Sequence, residues 1–395
     1  MLAINGGKPL RTKPFPGWPA VTGTDAELMT KTVQSGVWHG GGNVERFRNR
    51  FASDNGVKHC FAVANGTVSL EIIMRAMGIG YGDDVILPPY TFAATLSAVL
   101  FTGALPVFAD IDPTTYNISP SDAEAKITPR TKAIIAVAVA GCPPDLDTLA
   151  EIAGRRGIRL IIDAAQAVGS EWKGRSICSY GDAVSVSCQN SKNLPSGEGG
   201  IITTNDDEIA NRIDLILSGG KKDGRIVCLA EDHNMSEFQA SILLSQYEKL
   251  DKEIYLREKN AAYLSGRLSR LPFLAPAAYD DRITRHAYHL FIIRLDSEKL
   301  AERGYDRGRF VSAVNAEGIP LSCGYAPLYG FPGLASEQTG KMTGRDIDLS
   351  PLPNSEKAGY EEGTWLYQSL LLGSREDMDD IVDAMIKVWE NGRED

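Results

Sequence analysis

Between residues 57 and 163 short apolar runs alternate with amphipathic ones, and few folds accommodate that rhythm. Residues 57–63, 84–88, 105–108, 132–139 and 158–163 read as strands, each a brief run rich in aliphatic side chains. Residues 67–78, 120–127 and 145–156 carry apolar side chains at helical spacing. Strands and helices in this order predict an α/β architecture, a mainly parallel sheet covered on both faces. Two further β-type runs, 183–188 and 200–204, are close in sequence and should pair antiparallel, which makes the sheet mixed.

Three windows on this framework carry chemistry. The segment between the last two runs, QNSKNLPSGEGG (residues 189–200), puts Lys192 at a strand end ahead of a glycine-rich turn that leaves it little freedom. The run IRLIIDAAQ (158–166) reads as a buried parallel strand with Asp163 at its C-terminal tip, where ligands of open α/β sheets gather. In NGTVSLEIIMRAMGI (65–79), Gly66 and Thr67 lie at a helix N-terminus, whose free N–H groups and dipole suit a phosphate. Each window has an ordinary alternative: a solvated lysine on a hairpin, an aspartate capping the next turn, a threonine N-cap. Taken together, an amine, a carboxylate and a phosphate seat are the set that pyridoxal 5′-phosphate requires.

The order NGT, PPYTF, IDAAQAVGS, GDAVSVSCQNSK, GEGG and MSEFQA resembles the DegT/DnrJ/StrS family of sugar and cyclitol aminotransferases, and the likeness runs from LAINGGKP to WLYQSLLLG. The resemblance implies a pyridoxal-phosphate-dependent transferase of fold type I, like aspartate aminotransferase, with a smaller C-terminal α/β domain. It implies Lys192 as the Schiff-base lysine and general base, and Asp163 as partner of the pyridine nitrogen. Phe92 would lie against the pyridine face, Gln166 would touch the ring hydroxyl, and Gly66, Thr67 and Ser187 would hold the phosphate. Active sites of this family form between subunits, so a homodimer is implied. The partner's asparagine comes from a motif like GYNYRMSE. Here the stretch is AEDHNMSE (230–237), with Asp232 at the asparagine and Asn234 at the arginine. A carboxylate would repel phosphate, so Asn234 is the candidate contact. A second departure is AVAG (138–141) where the family has a motif like HLYG.

The implied reaction moves an amino group from glutamine or glutamate to a keto-cyclitol, scyllo-inosose-like, or to a keto-sugar, in aminocyclitol or amino-sugar biosynthesis. The N-terminal segment and WLYQSLLLG look more like the inosose branch. Alternatives are a nucleotide-linked keto-sugar aminotransferase and a regulatory protein that binds the cofactor without turnover.

The totals are compatible with an enzyme of two domains, a large one with its arm over residues 1–250 and a small one over 251–395. A net charge of −10 argues against a nucleic-acid surface. Six cysteines without a CxxC pair read as reduced thiols, and no histidine cluster has metal spacing. With no apolar leader and no run long enough for a bilayer, the expected location is the cytoplasm. Residues 1–22 read as an extended arm over another surface, a partner subunit being one choice. The glycine-rich loop at 33–44, carrying Trp38 and His39, is either a connector or a wall of the site. A long helical pattern from Met235, with room for a break, is stopped by Pro272, residues 286–295 read as a strand, and Ser374 with Asp377 forms a capping box for the last helix.

Overall fold

Seven strands make the central sheet: β1 (His59–Val63), β2 (Asp84–Leu87), β3 (Leu105–Phe108), β4 (Thr131–Val137), β5 (Arg159–Asp163), β6 (Ala183–Ser187) and β7 (Gly200–Thr204). The structure, a computed structural model, describes residues 1–335 and 337–392. The strand order is β1-β7-β6-β5-β4-β2-β3. Neighbours from β6 through β5, β4 and β2 to β3 are parallel, whereas β7 runs antiparallel to both β6 and β1. This is the mixed, mainly parallel sheet expected from the sequence.

The parallel strands are buried on both faces, and their period of two splits neighbouring residues between two apolar cores. Ile135, Ile161 and Ile202 enter one core; Ile134, Ile162 and Ile201 enter the other. The first core is closed by the helices Gly66–Ala76 and Ala93–Phe101, the second by Gly42–Asn55, Leu146–Arg156 and Glu237–Tyr247.

Four antiparallel strands form a second sheet in the C-terminal part, β8 (Leu274–Pro276), β9 (Leu290–Leu295), β10 (Leu321–Ser322) and β11 (Gly363–Tyr367), ordered β8-β9-β11-β10. The helix Arg375–Glu390 packs Met378, Ile381, Val382 and Met385 into a third core under it. Its capping box is present as read, with Ser374 and Asp377 reciprocally bonded.

The helical pattern from Met235 takes the break it allowed, as the helices Glu237–Tyr247 and Leu250–Leu268, and ends before Pro272. Other elements differ from expectation. The strand expected from residue 286 begins only at Leu290, because Tyr288 takes φ 46°, outside extended space. The stretch expected as a loop from residue 33 is helical to Ser35 and turns at Gly36, φ 67°.

The N-terminal arm lies on its own chain. Ala3 N and Leu10 N donate to the two carboxylate oxygens of Glu317 at 2.8 and 2.9 Å. Arg11 pairs with Asp377 at 2.8 Å and Asp380 at 2.6 Å. Further along, Trp18 Nε1 donates to the carbonyl of Lys192 at 3.2 Å. Among the described residues no helix is long and apolar enough to cross a membrane.

Candidate active site

Three parallel strands end at one cavity of about 810 Å³: Val137 closes β4, Asp163 closes β5 and Ser187 closes β6, and all three line it. The C-terminal edge of a parallel sheet is where such folds keep their ligands. Gly66, Thr67, Phe92, Gln166 and Lys192 line the same cavity.

The N-terminus of the helix Gly66–Ala76 forms one end. Its cap is Asn65, whose side chain accepts from Val68 N at 2.9 Å. Thr67 is therefore inside the first turn and is not the cap. The N–H groups of Gly66 and Thr67 have no intrahelical acceptor and are available to an anion. Close packing fixes the glycines here. A Cβ on Gly66 would stand 2.7 Å from Ser187 Cβ, and one on Gly200 would stand 2.3 Å from the Asn65 carbonyl oxygen. The last glycine of GEGG is thus required by the seat, which joins two distant sequence windows.

Asp163 is 4% exposed. Its Oδ2 accepts from Thr95 Oγ1 at 2.8 Å and its Oδ1 from Ala165 N at 3.1 Å. Burial pushes its carboxyl above the ordinary range, against these two donors and Lys192. No cation lies within ion-pair distance among the described residues. Burial also lowers the Lys192 amine, opposed by Asp163. The Nζ of Lys192 has no hydrogen-bond partner among the described residues, while the backbone is held through Lys192 N to the Gln189 carbonyl.

Gln166 is not an exposed polar residue. Its Oε1 accepts from Ala140 N at 2.7 Å and its Nε2 donates to Tyr325 Oη at 2.9 Å. Phe92 is the N-cap residue of the helix Ala93–Phe101 and remains 59% exposed, with one side on the cavity. Asn234 does not line this chain's own cavity. It bridges Val63 as an isolated β-bridge, and its amide donates to the Leu217 carbonyl and to Asp232. Trp38, which the sequence left between connector and wall, packs on Phe238 with ring centroids 5.6 Å apart.

Sequence reasoning missed Thr95, His289, Tyr325 and Trp365, which also line the cavity. Thr95 sits in a nearly uniform apolar stretch, AATLSAVLF, that hides its helix, although its spacing of four from Thr91 was a signal. The other three come from the second sheet and its loops, about a hundred residues or more beyond Lys192, and no local pattern announces that proximity.

Residues 19–385 match the profile of the DegT/DnrJ/EryC1/StrS aminotransferase family. The chain is 35% identical to the L-glutamine:2-deoxy-scyllo-inosose aminotransferase of Streptoalloteichus tenebrarius, over 98% of this chain and 97% of that one. It is 34% identical to the enzyme of the same name from Micromonospora echinospora, over 100% and 99% of the two chains. It is also similar to the solved structure of 3-amino-5-hydroxybenzoic acid synthase, at 29% identity and a TM-score of 0.86, covering 97% of this chain and 99% of that one.

Proposed function

The chain belongs to the DegT/DnrJ/EryC1/StrS aminotransferase family, and on that premise we propose that it transfers an amino group from glutamine or glutamate to a keto-cyclitol of the scyllo-inosose kind. The observation that carries this reading is the cavity at the strand ends, where a buried amine, a buried carboxylate and a helix N-terminus converge. The relatives named above as inosose aminotransferases support the substrate class.

Pyridoxal phosphate fits the residues present. Asp163 is a buried carboxylate without an ion-pair partner, which a protonated pyridine nitrogen would supply. Gly66 and Thr67 offer unused N–H groups, with the Ser187 hydroxyl beside them, to a phosphate. Pyridoxal phosphate supplies, when bound, the electron-withdrawing ring that takes up the electron pair of the substrate's α-carbon.

The chain's own residues have separate tasks. Asp163 would keep the ring nitrogen protonated, and Thr95 and Ala165 N keep the carboxylate oriented. Lys192, lowered by burial, is poised to take the α-proton of the amino donor and to return it. Gln166, fixed from both ends, presents its remaining amide N–H as a donor to a ring oxygen. Phe92, on the cavity wall, would lie against the ring and fix its plane.

A specific feature favours an uncharged ketone over a nucleotide-linked sugar. Among the described residues that line this chain's cavity, Lys192 is the sole lysine or arginine, and Glu198 adds negative charge there. A diphosphate finds no cationic clamp on such a wall. We further propose that the enzyme works as a homodimer, with Asn234 of one subunit reaching the phosphate of the other. The division at about residue 250 into a large and a small domain belongs to the same proposal.

The test is a pair of half-reactions. The holoenzyme is loaded with amine from glutamine, and scyllo-inosose or a panel of keto-sugars is then asked to restore the aldehyde form. Lys192→Ala is expected to abolish transfer to all of them. Turnover by that variant at the wild-type rate would overturn the mechanism.

A further inference from the structure

His289 precedes β9 and lines the cavity beside Lys192, although it is only 5% exposed. Its Nδ1 lies 3.0 Å from Asn193 Oδ1, and Asn193 Nδ2 donates to the Ala287 carbonyl at 2.7 Å. An amide that gives its NH₂ to a carbonyl turns its oxygen the other way, and that oxygen accepts only from an N–H. Nδ1 therefore carries the ring proton, and Nε2 keeps a lone pair.

Two charged groups surround this ring, and neither favours a second proton. Burial holds the imidazole well below its usual range, reinforced by Lys192 and by Arg257. Arg257 is fully buried, donates to Gln368 Oε1 at 3.0 Å, and Gln368 N in turn donates to the His289 carbonyl at 3.1 Å. The ring is thus locked from both sides, through Asn193 and through its own backbone. Among the described residues, neither His289 Nε2 nor Lys192 Nζ has a hydrogen-bond partner. One is an acceptor and the other a donor, both residues line the same cavity, and the histidine is tied to Asn193, the residue next to the lysine.

We propose that His289 is a positioning residue for amino transfer: its Nε2 accepts a hydrogen bond from the Lys192 amine whenever that amine is free. Held in this way, the amine turns its own lone pair toward the substrate carbon that gives up a proton. The inference rests on the reaction proposed above and adds a residue to it.

The experiment compares His289→Asn and His289→Gln with the wild-type holoenzyme. Asparagine keeps a donor near the Nδ1 position and has nothing at Nε2, whereas glutamine can bring an amide oxygen to the Nε2 position. His289→Asn should slow the glutamine half-reaction about 100-fold, as a misplaced reacting group does, with KM little changed. The isotope effect from α-deuterated glutamine should rise, because proton transfer becomes more fully rate-limiting. His289→Gln should recover part of the rate. Separately, ¹⁵N-histidine spectra of the wild-type protein should show the Nδ1–H tautomer unchanged across neutral pH. An unchanged rate and isotope effect in His289→Asn would overturn the inference, as would equal losses in both variants. A ring protonated at Nε2 in the wild type would also overturn it, and decides the matter if the variants do not fold. A wild-type enzyme that transfers no amine to any ketone would instead sink the underlying function.

Discussion

Asp163 and Lys192 are displaced in opposite directions by the same burial, and the two displacements have opposite consequences for stability. A carboxyl raised above 3.8 holds more protons folded than unfolded, so stability falls as pH rises from 3.8 through the folded value. An amine lowered below 10.5 holds fewer protons folded than unfolded, so stability rises with pH from the folded value up to 10.5. Lys192→Met should remove that alkaline rise from the cofactor-free protein and lift its melting midpoint at neutral pH, since the desolvation that lowers the amine is relieved. Calorimetry across pH would check this, and a lower midpoint would count against a strained amine. Asp163→Asn should retain cofactor but slow turnover roughly 100-fold or more, the scale of losing a preorganised electrostatic partner. Stopped-flow absorbance of the glutamine half-reaction reads it, and a wild-type rate would mean the ring nitrogen needs no anion.

The helix Gly66–Ala76 shows how one element serves both core and site. Leu70, Ile72 and Ile73 anchor it in the first core, while its opening turn faces the cavity. Gly66→Ala should leave the helix content intact yet weaken pyridoxal phosphate binding about tenfold or more, because the new methyl meets Ser187. Circular dichroism and fluorescence titration separate the two, and unchanged affinity would show that the seat can relax. The sequence revealed this helix because its apolar positions are periodic and a glycine opens it. It likewise revealed β5, β6 and β7, whose runs are short, aliphatic and bounded by turn residues. The cap escaped notice, since Asn65 and Thr67 are both plausible from residue type alone. Tyr325 and His289 escaped for a different reason: they reach Gln166 and Asn193 across sequence separations of 159 and 96, and only packing brings them together.

Taken whole, the molecule is fastened at its beginning to its end. Arg11, with a side chain 1% exposed, pairs with Asp377 and Asp380 on the last helix, so Arg11→Ala should cost about 2 kcal/mol, the loss of a charged donor to a buried carboxylate that keeps Ser374 and Lys13. Burial alone would raise Asp377, but the Ser374 donors and Arg11 outweigh it and hold the carboxyl at about 2. A carboxyl held below its unfolded value of 3.8 stabilises the fold above that pH, and the contribution drains away as pH falls toward about 2. Denaturant titrations should find a shallower acid loss in Arg11→Ala; an equally steep one would clear Asp377 of that part. The same arm carries Trp18, whose indole holds the backbone of Lys192. Anyone trimming a gene to the boundary of the family match, at residue 19, would discard that tryptophan and the arginine before it. The shortened protein would keep every residue proposed for chemistry and still lose the brace behind Lys192.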